Sequence, residues 1–149
     1  MIYYNMNTQK GFTIIELLVV VAIIAVLAAI VLVNVTGYIN QGKNAAIKGN
    51  EATVLTNGAV YFDANGNYTN FCSNAYITGP EAAISAAGGT AVHFCAATAW
   101  CACSTMKTTT AEPAGSTFCV DSTGYKKVTQ NAGACAARCV TPATGACLD

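Results

Sequence analysis

The stretch KGFTIIELLVVVAII, residues 10–24, places a carboxylate, Glu16, at the head of an apolar run. From Leu17 to Val33 no polar side chain interrupts that run. With Phe12–Ile15 added, broken only by Thr13 and Glu16, the segment exceeds the roughly 20 residues a helix needs to cross a bilayer. A charged group at bilayer depth costs roughly 2.5–3.5 kcal/mol on insertion scales. Glu16 therefore needs a reason, and the Lys10-Gly11 pair before it belongs to the same question.

The remainder of the chain has a different character. Its 149 residues suffice for one modest domain, and only 9% are charged, against roughly 25% in ordinary soluble domains. Net charge is zero, so the basic footprint of a dedicated nucleic-acid binder is missing, while weak local DNA contact stays open. From Asn34 onward the sequence is polar, small and Gly-rich. It holds all eight cysteines: Cys72, Cys95, Cys101, Cys103, Cys119, Cys135, Cys139 and Cys147. An even number in a short segment would, in an exported protein, read as a disulfide framework, stapling a head too small to build a large core. Their spacing does not reveal who pairs with whom.

A coarse pass along the chain places the elements. The β-branched run 12–35 would favour strand in water, but a lone segment in lipid satisfies its backbone only as a helix. Ile47, Val54, Leu55 and Phe62 share a helical face, and Ala45, Ala46, Ala52 and Ala59 support helix. Gly37, Gly42, Gly49 and Gly58 each weaken it by about 1 kcal/mol relative to Ala. One long helix is expected, continuous or loosened at these glycines, and stopped by Asp63-Ala-Asn-Gly-Asn. Residues 68–77 read as a loop carrying Tyr68, Phe71 and Tyr76. Gly79-Pro80 reads as a break, Glu81–Ala87 as a short helix ended by Gly88-Gly89, and Thr90–Thr98 as a strand. Ser116–Val120 and Tyr125–Thr129 flank Asp-Ser-Thr-Gly and read as a hairpin. The tail 131–149 reads as irregular and disulfide-held.

Gly11-Phe12-Thr13-Ile14-Ile15-Glu16-Leu17, after Lys10 and ahead of a long apolar helix, resembles the leader and N-terminus of type IV prepilins. The wider class includes pseudopilins of type II secretion and competence systems. The resemblance is strongest over 6–31, and Met6 offers a second, tighter start. It implies cleavage by a prepilin peptidase between Gly11 and Phe12, and N-methylation of Phe12. It also implies that Glu16 of an incoming subunit pairs with the Phe12 amine of the subunit already in place. The physics agrees: a paired buried carboxylate is tolerated where an isolated one is not. Lys10 favours the cytoplasmic side. Val33 stands where many pilins have a helix-breaking proline, which leaves Gly37 and Gly42 as points of loosening.

Other readings are weaker. Val26-Leu27-Ala28 could serve a secretory signal peptidase, but Glu16 disrupts such an h-region; a simple uncleaved anchor is the other plain alternative. Cys101/Cys103, Cys135/Cys139 and His93 near Cys95 offer zinc ligands, yet Cys101-Ala-Cys103 is tighter than zinc spacing, and export favours disulfides. Asp121 reads as a turn former rather than a calcium ligand, and His93 as a strand residue. Tyr125, Lys126 and Lys127 form a small basic-aromatic patch better read as a solvated hairpin face. No catalytic motif, metal site, cofactor site or clear nucleic-acid site emerges.

The expected fold is α+β: a long N-terminal helix, membrane-inserting in its first half, packed on a small antiparallel sheet in a disulfide-rich head. The segments are a leader (1–11), a filament-core helix (12–35), an amphipathic helix half (36–62) and the head (63–149). The expected role is a non-enzymatic filament subunit, held in the cytoplasmic membrane and then polymerised with itself outside. Its partners would be the bilayer, the peptidase and an assembly platform with its ATPase. The alternative is a minor pilin or pseudopilin in secretion or DNA uptake.

Overall fold

The computed structural model describes residues 11–130, 135–139 and 147. The element order is α1 (Ile14–Asn65), a 3-10 turn (Phe71–Ser73), α2 (Ala75–Ala86), β1 (Ala91–Cys95), β2 (Trp100–Thr105), β3 (Thr117–Asp121), β4 (Lys126–Thr129) and α3 (Cys135–Arg138). The chain falls into two compact units, Met1–Thr36 and Gly37–Asp149.

In the first unit α1 begins at Ile14 and stays helical through Thr36. It is long and apolar enough to cross a bilayer, and none of its most apolar stretch is buried. Side chains such as Leu18, Ile24 and Leu27 stand exposed on all sides. A contiguous aliphatic surface of this extent needs lipid or protein around it. Gly37 and Gly42, expected as points of loosening, lie within unbroken helix.

The second unit is built on the rest of α1. Its buried stripe is Asn44, Ile47, Glu51, Val54, Gly58 and Tyr61, spaced alternately by three and four residues. That spacing keeps one face turned to the core. The expected stripe was right at Ile47 and Val54 and half right at Leu55, which is partly buried. It was wrong at Phe62, which is 45% exposed and instead stacks beside Tyr68 with ring centroids 5.1 Å apart. The reason is the angular drift of the helix: Tyr61, one residue earlier, takes the inward position and packs on Phe71. Gly66, in the left-handed region at φ 70°, ends α1 and donates its N–H to Phe62 O at 2.7 Å.

The sheet is antiparallel with order β1-β2-β3-β4. Its hairpin β3–β4 was expected, with Thr117 opposite Thr129 and Val120 opposite Lys126. β1 is shorter than the expected strand, ending at Cys95. Strand β2 was not expected at all. It is central, pairing Cys95↔Trp100 on one side and Cys103↔Cys119 on the other. Its residues Trp100–Ser104 are all buried, so no apolar–polar alternation marks it. Trp100 and Ala102 join Val54, Tyr61, Phe71, Ile77, Phe118 and Val120 on the helix side. Cys101 and Cys103 join Cys119, Cys135, Cys139 and Cys147 on the opposite side.

The expected loop over 68–77 holds for residues 68–70, but 71–73 form the 3-10 turn and α2 starts at Ala75, and Gly79-Pro80 is not a break. Asn74 caps α2, its side chain accepting from Tyr76 N at 3.1 Å, and the helix runs through Pro80 to Ala86. A proline inside a helix leaves the carbonyl four residues earlier without its N–H. Here that carbonyl is Tyr76 O, and Asn57 Nδ2 on α1 donates to it at 2.7 Å. The neighbouring helix thus supplies the donor that the sequence withholds.

Contacts at both ends of its buried stripe hold α1 in place. Gly58 lies under the Trp100 ring; a Cβ there would stand 2.6 Å from Cζ2. At the other end Asn44 Nδ2 donates to Lys107 O at 2.7 Å, and its Oδ1 accepts from Lys107 N at 2.7 Å. Asn40 Nδ2 donates to Thr108 O at 3.1 Å, and Lys48 Nζ pairs with Glu112 at 2.6 Å. Lys48, with hydrogen bonds from Thr109 and Asn44, holds the Glu112 carboxyl below the usual range.

Two outcomes follow for stability, both measured by denaturation of the full chain in detergent with the single tryptophan as reporter. Gly58→Ala should destabilise by about 1–3 kcal/mol through overpacking, despite alanine's better helix propensity. Asn57→Ala should cost about 1 kcal/mol. That cost should shrink in a Pro80→Ala background, where residue 80 regains the N–H that reaches Tyr76 O.

Candidate processing site and cystine layer

The residues singled out at the N-terminus sit at the entrance to α1. Gly11, Phe12 and Thr13 lie before the helix, and Phe12 is 78% exposed. Thr13 and Glu16 form a reciprocal cap. Thr13 N donates to Glu16 Oε2 at 2.8 Å, Thr13 Oγ1 donates to the same oxygen at 2.7 Å, and Glu16 N donates to Thr13 Oγ1 at 3.3 Å. This is a capping box, satisfying backbone donors that a helix start leaves without partners. The acid also sits at the positive end of the helix dipole. The Thr13-x-x-Glu16 spacing is the sequence signature of this cap. The arrangement has a chemical consequence. The Gly11–Phe12 peptide lies outside the helix, as non-helical backbone, and the helix beyond it has its own cap.

The cysteines form two groups. Cys72 bridges to Cys95, linking the 3-10 turn to β1. Cys101 bridges to Cys139 and Cys103 to Cys119, both on the sheet face away from α1. Cys135 and Cys147 are buried in the same sulfur layer. The zinc alternative loses its ligands to these bonds, since Cys101, Cys103 and Cys139 are all in disulfides. His93 lies on β1, as expected, and its Nδ1 meets Glu81 Oε1 of α2.

Asp121 is the turn residue it was expected to be. Its Oδ1 accepts from Thr123 N at 2.8 Å, Thr123 Oγ1 at 2.6 Å and Tyr125 N at 3.2 Å. Its Oδ2 accepts from Cys147 N at 2.8 Å, so the same carboxylate fastens the far end of the chain to the hairpin. Nothing in the local sequence signalled that second task. Lys126 and Lys127 are exposed on β4, with Lys127 Nζ 5.2 Å from the centre of the Tyr125 ring. Most of the tail 131–149, read as irregular, lies outside the described residues.

The layer makes a prediction about covalent state. Alkylation of the non-reduced, denatured chain should find no free thiol. Linked peptides should include Cys72–Cys95, Cys101–Cys139 and Cys103–Cys119, with Cys135 joined to Cys147. Alkylation of both Cys135 and Cys147 without reductant would overturn the last pairing.

Comparison with known proteins bears on the N-terminal part. The family described as the prokaryotic N-terminal methylation motif matches residues 6–32. The type IV major alpha-pilin of Moraxella bovis is 49% identical over 51 residues, covering 34% of this chain and 32% of that protein. Fimbrial protein Q of Moraxella bovis is 47% identical over 51 residues, with the same coverage. The match thus spans about a third of the length of these relatives. No solved structure gives a significant match. A long N-terminal helix, a four-stranded antiparallel sheet and disulfide-paired cysteines complete a pilin-like α+β architecture. Over its N-terminal third the chain is similar to these pilins, and it carries the prokaryotic N-terminal methylation motif over residues 6–32.

Proposed function

We propose that the chain is a structural subunit of a type IV pilus-like filament. In this reading residues 1–11 are a leader removed by a prepilin peptidase, and Phe12 becomes the methylated N-terminus. Segment 12–35 first lies in the cytoplasmic membrane as a single span and then in the filament core, with 36–62 carrying the head, 63–149. The observation that carries the reading is the conjunction of the Gly11–Phe12 step with an entirely uncovered aliphatic helix. Such a surface is stable in lipid, and equally stable when surrounded by copies of itself, so transfer from one to the other requires little change in solvation. An assembly platform and its ATPase would drive that transfer, and the finished fibre would be extracellular. The role asks for no catalysis.

Cleavage converts the Phe12 amide nitrogen into an amine. A cation would then stand at the depth of Glu16, and pairing between subunits would relieve the cost of both charges. The capping box complicates a simple alanine test, since Glu16→Ala removes the cap as well as the charge. Glu16→Gln separates the two, because glutamine also serves in a capping box but carries no charge.

Mass spectrometry of the mature chain should find Phe12, methylated, at its N-terminus. A start at Ala29 would sink the reading in favour of a secretory signal. Glu16→Gln and Glu16→Ala should both be cleaved and inserted, and both should lower the sheared filament yield substantially, because the uncompensated charge or the lost pairing acts at every subunit addition. Normal yield from Glu16→Gln would show that the cap, not the charge, is what assembly uses. A sheared fraction composed mainly of this chain marks the major subunit. Its absence there, with loss of secretion or DNA uptake on deletion, marks the minor-pilin or pseudopilin role.

A further inference from the structure

Among the described residues of the second unit three carboxylates are buried: Glu51, Glu112 and Asp121. Two of them are well supplied with donors. Glu112 has Lys48, Thr109 and Asn44, and Asp121 has Thr123, Tyr125 and Cys147. Glu51 is different. It lies at 1% exposure in the middle of the α1 stripe, between Ile47 and Val54, which are fully buried. Its Oε1 meets Ser104 Oγ of β2, and its Oε2 has no hydrogen-bond partner among the described residues. An ionised carboxylate needs several donors or a cation to stay dry. We propose that Glu51 is a proton-operated latch on the seam between α1 and the sheet: neutral, it lets the helix seat on β2; ionised, it loosens that seam by demanding water.

The charged groups around it do not relieve an ionised Glu51. Lys48, three residues earlier on α1, is held by Glu112 of the β2–β3 connection. Glu81 of α2 adds like charge, and His93 of β1 is engaged with Glu81. On β2 the facing group is the neutral Ser104 hydroxyl. Burial accordingly pushes the Glu51 carboxyl up to about 7, with the Ser104 hydrogen bond opposing and Glu81 assisting. The sign of the linkage is then fixed. The folded state holds a proton that the unfolded state releases near the ordinary value of 4.5. Stability from this group is complete below that value, declines as pH rises and is gone above about 7.

The test is the pH dependence of thermal unfolding of the full chain in detergent micelles, followed by near-ultraviolet circular dichroism between about pH 4.5 and 8.5. The wild type should lose roughly a hundredfold in folding equilibrium constant across that range. Glu51→Gln should flatten the profile and be the more stable protein at the alkaline end. His93→Gln, which removes the neighbouring imidazole, should keep the decline. An undiminished decline in Glu51→Gln would overturn the proposal. Should that variant fail to fold, two others decide. Ser104→Ala removes the hydroxyl that favours the charged form and should move the decline to higher pH. Glu81→Gln removes the like charge and should move it to lower pH. A decline that moves in neither variant would overturn the proposal equally.

Discussion

Strand β2 has both faces covered, and the architecture of the head is the solution to covering them. On one side Trp100 and Ala102 meet the α1 stripe and the aromatic cluster of Tyr61, Tyr68 and Phe71. On the other, Cys101 and Cys103 meet a layer of sulfur. A head of this size cannot enclose a two-sided sheet with aliphatic side chains alone. The long helix supplies one cover from a segment whose neighbouring half serves another purpose. The cystine layer supplies the second cover with small, dense, cross-linked groups, which also limit the freedom of the unfolded chain.

The same constraint explains what could and could not be read in advance. The apolar run and the hairpin around Asp121 were legible because each is a local pattern: a length, a turn. Strand β2 was invisible because both of its faces are buried, so Trp-Cys-Ala-Cys-Ser-Thr shows no period. Helix α2 was cut short in the reading because Pro80 normally breaks a helix, and the donor that rescues it comes from Asn57 on a distant part of the chain. Gly58 was counted as a weakness of α1. It is the position where only hydrogen fits beneath Trp100. In each case the deciding partner lies far away in sequence.

The polar members of the α1 stripe belong to the same class of hidden information. Asn44 and Glu51 look like interruptions of an apolar face. Asn44 in fact makes a two-sided amide pairing with Lys107, the geometry of a strand rung applied to a side chain. Glu51 has one partner where a charged group would need several. One polar residue fixes the helix firmly, and the other leaves it conditional. Glu16 was read as a charge awaiting a partner. Within a single chain it is already occupied, closing the helix start with Thr13.

The attachments of Asn40, Asn44 and Lys48 have a mechanical meaning. They recur once per helical turn, and all three reach the same connection between β2 and β3, at Thr108, Lys107 and Glu112. A pull along the axis of α1 would load these bonds in parallel, in shear, so that none can yield without straining the others. A pull across the axis would open them in sequence from one end. The head is therefore built to resist tension carried along its helix far better than peeling away from it.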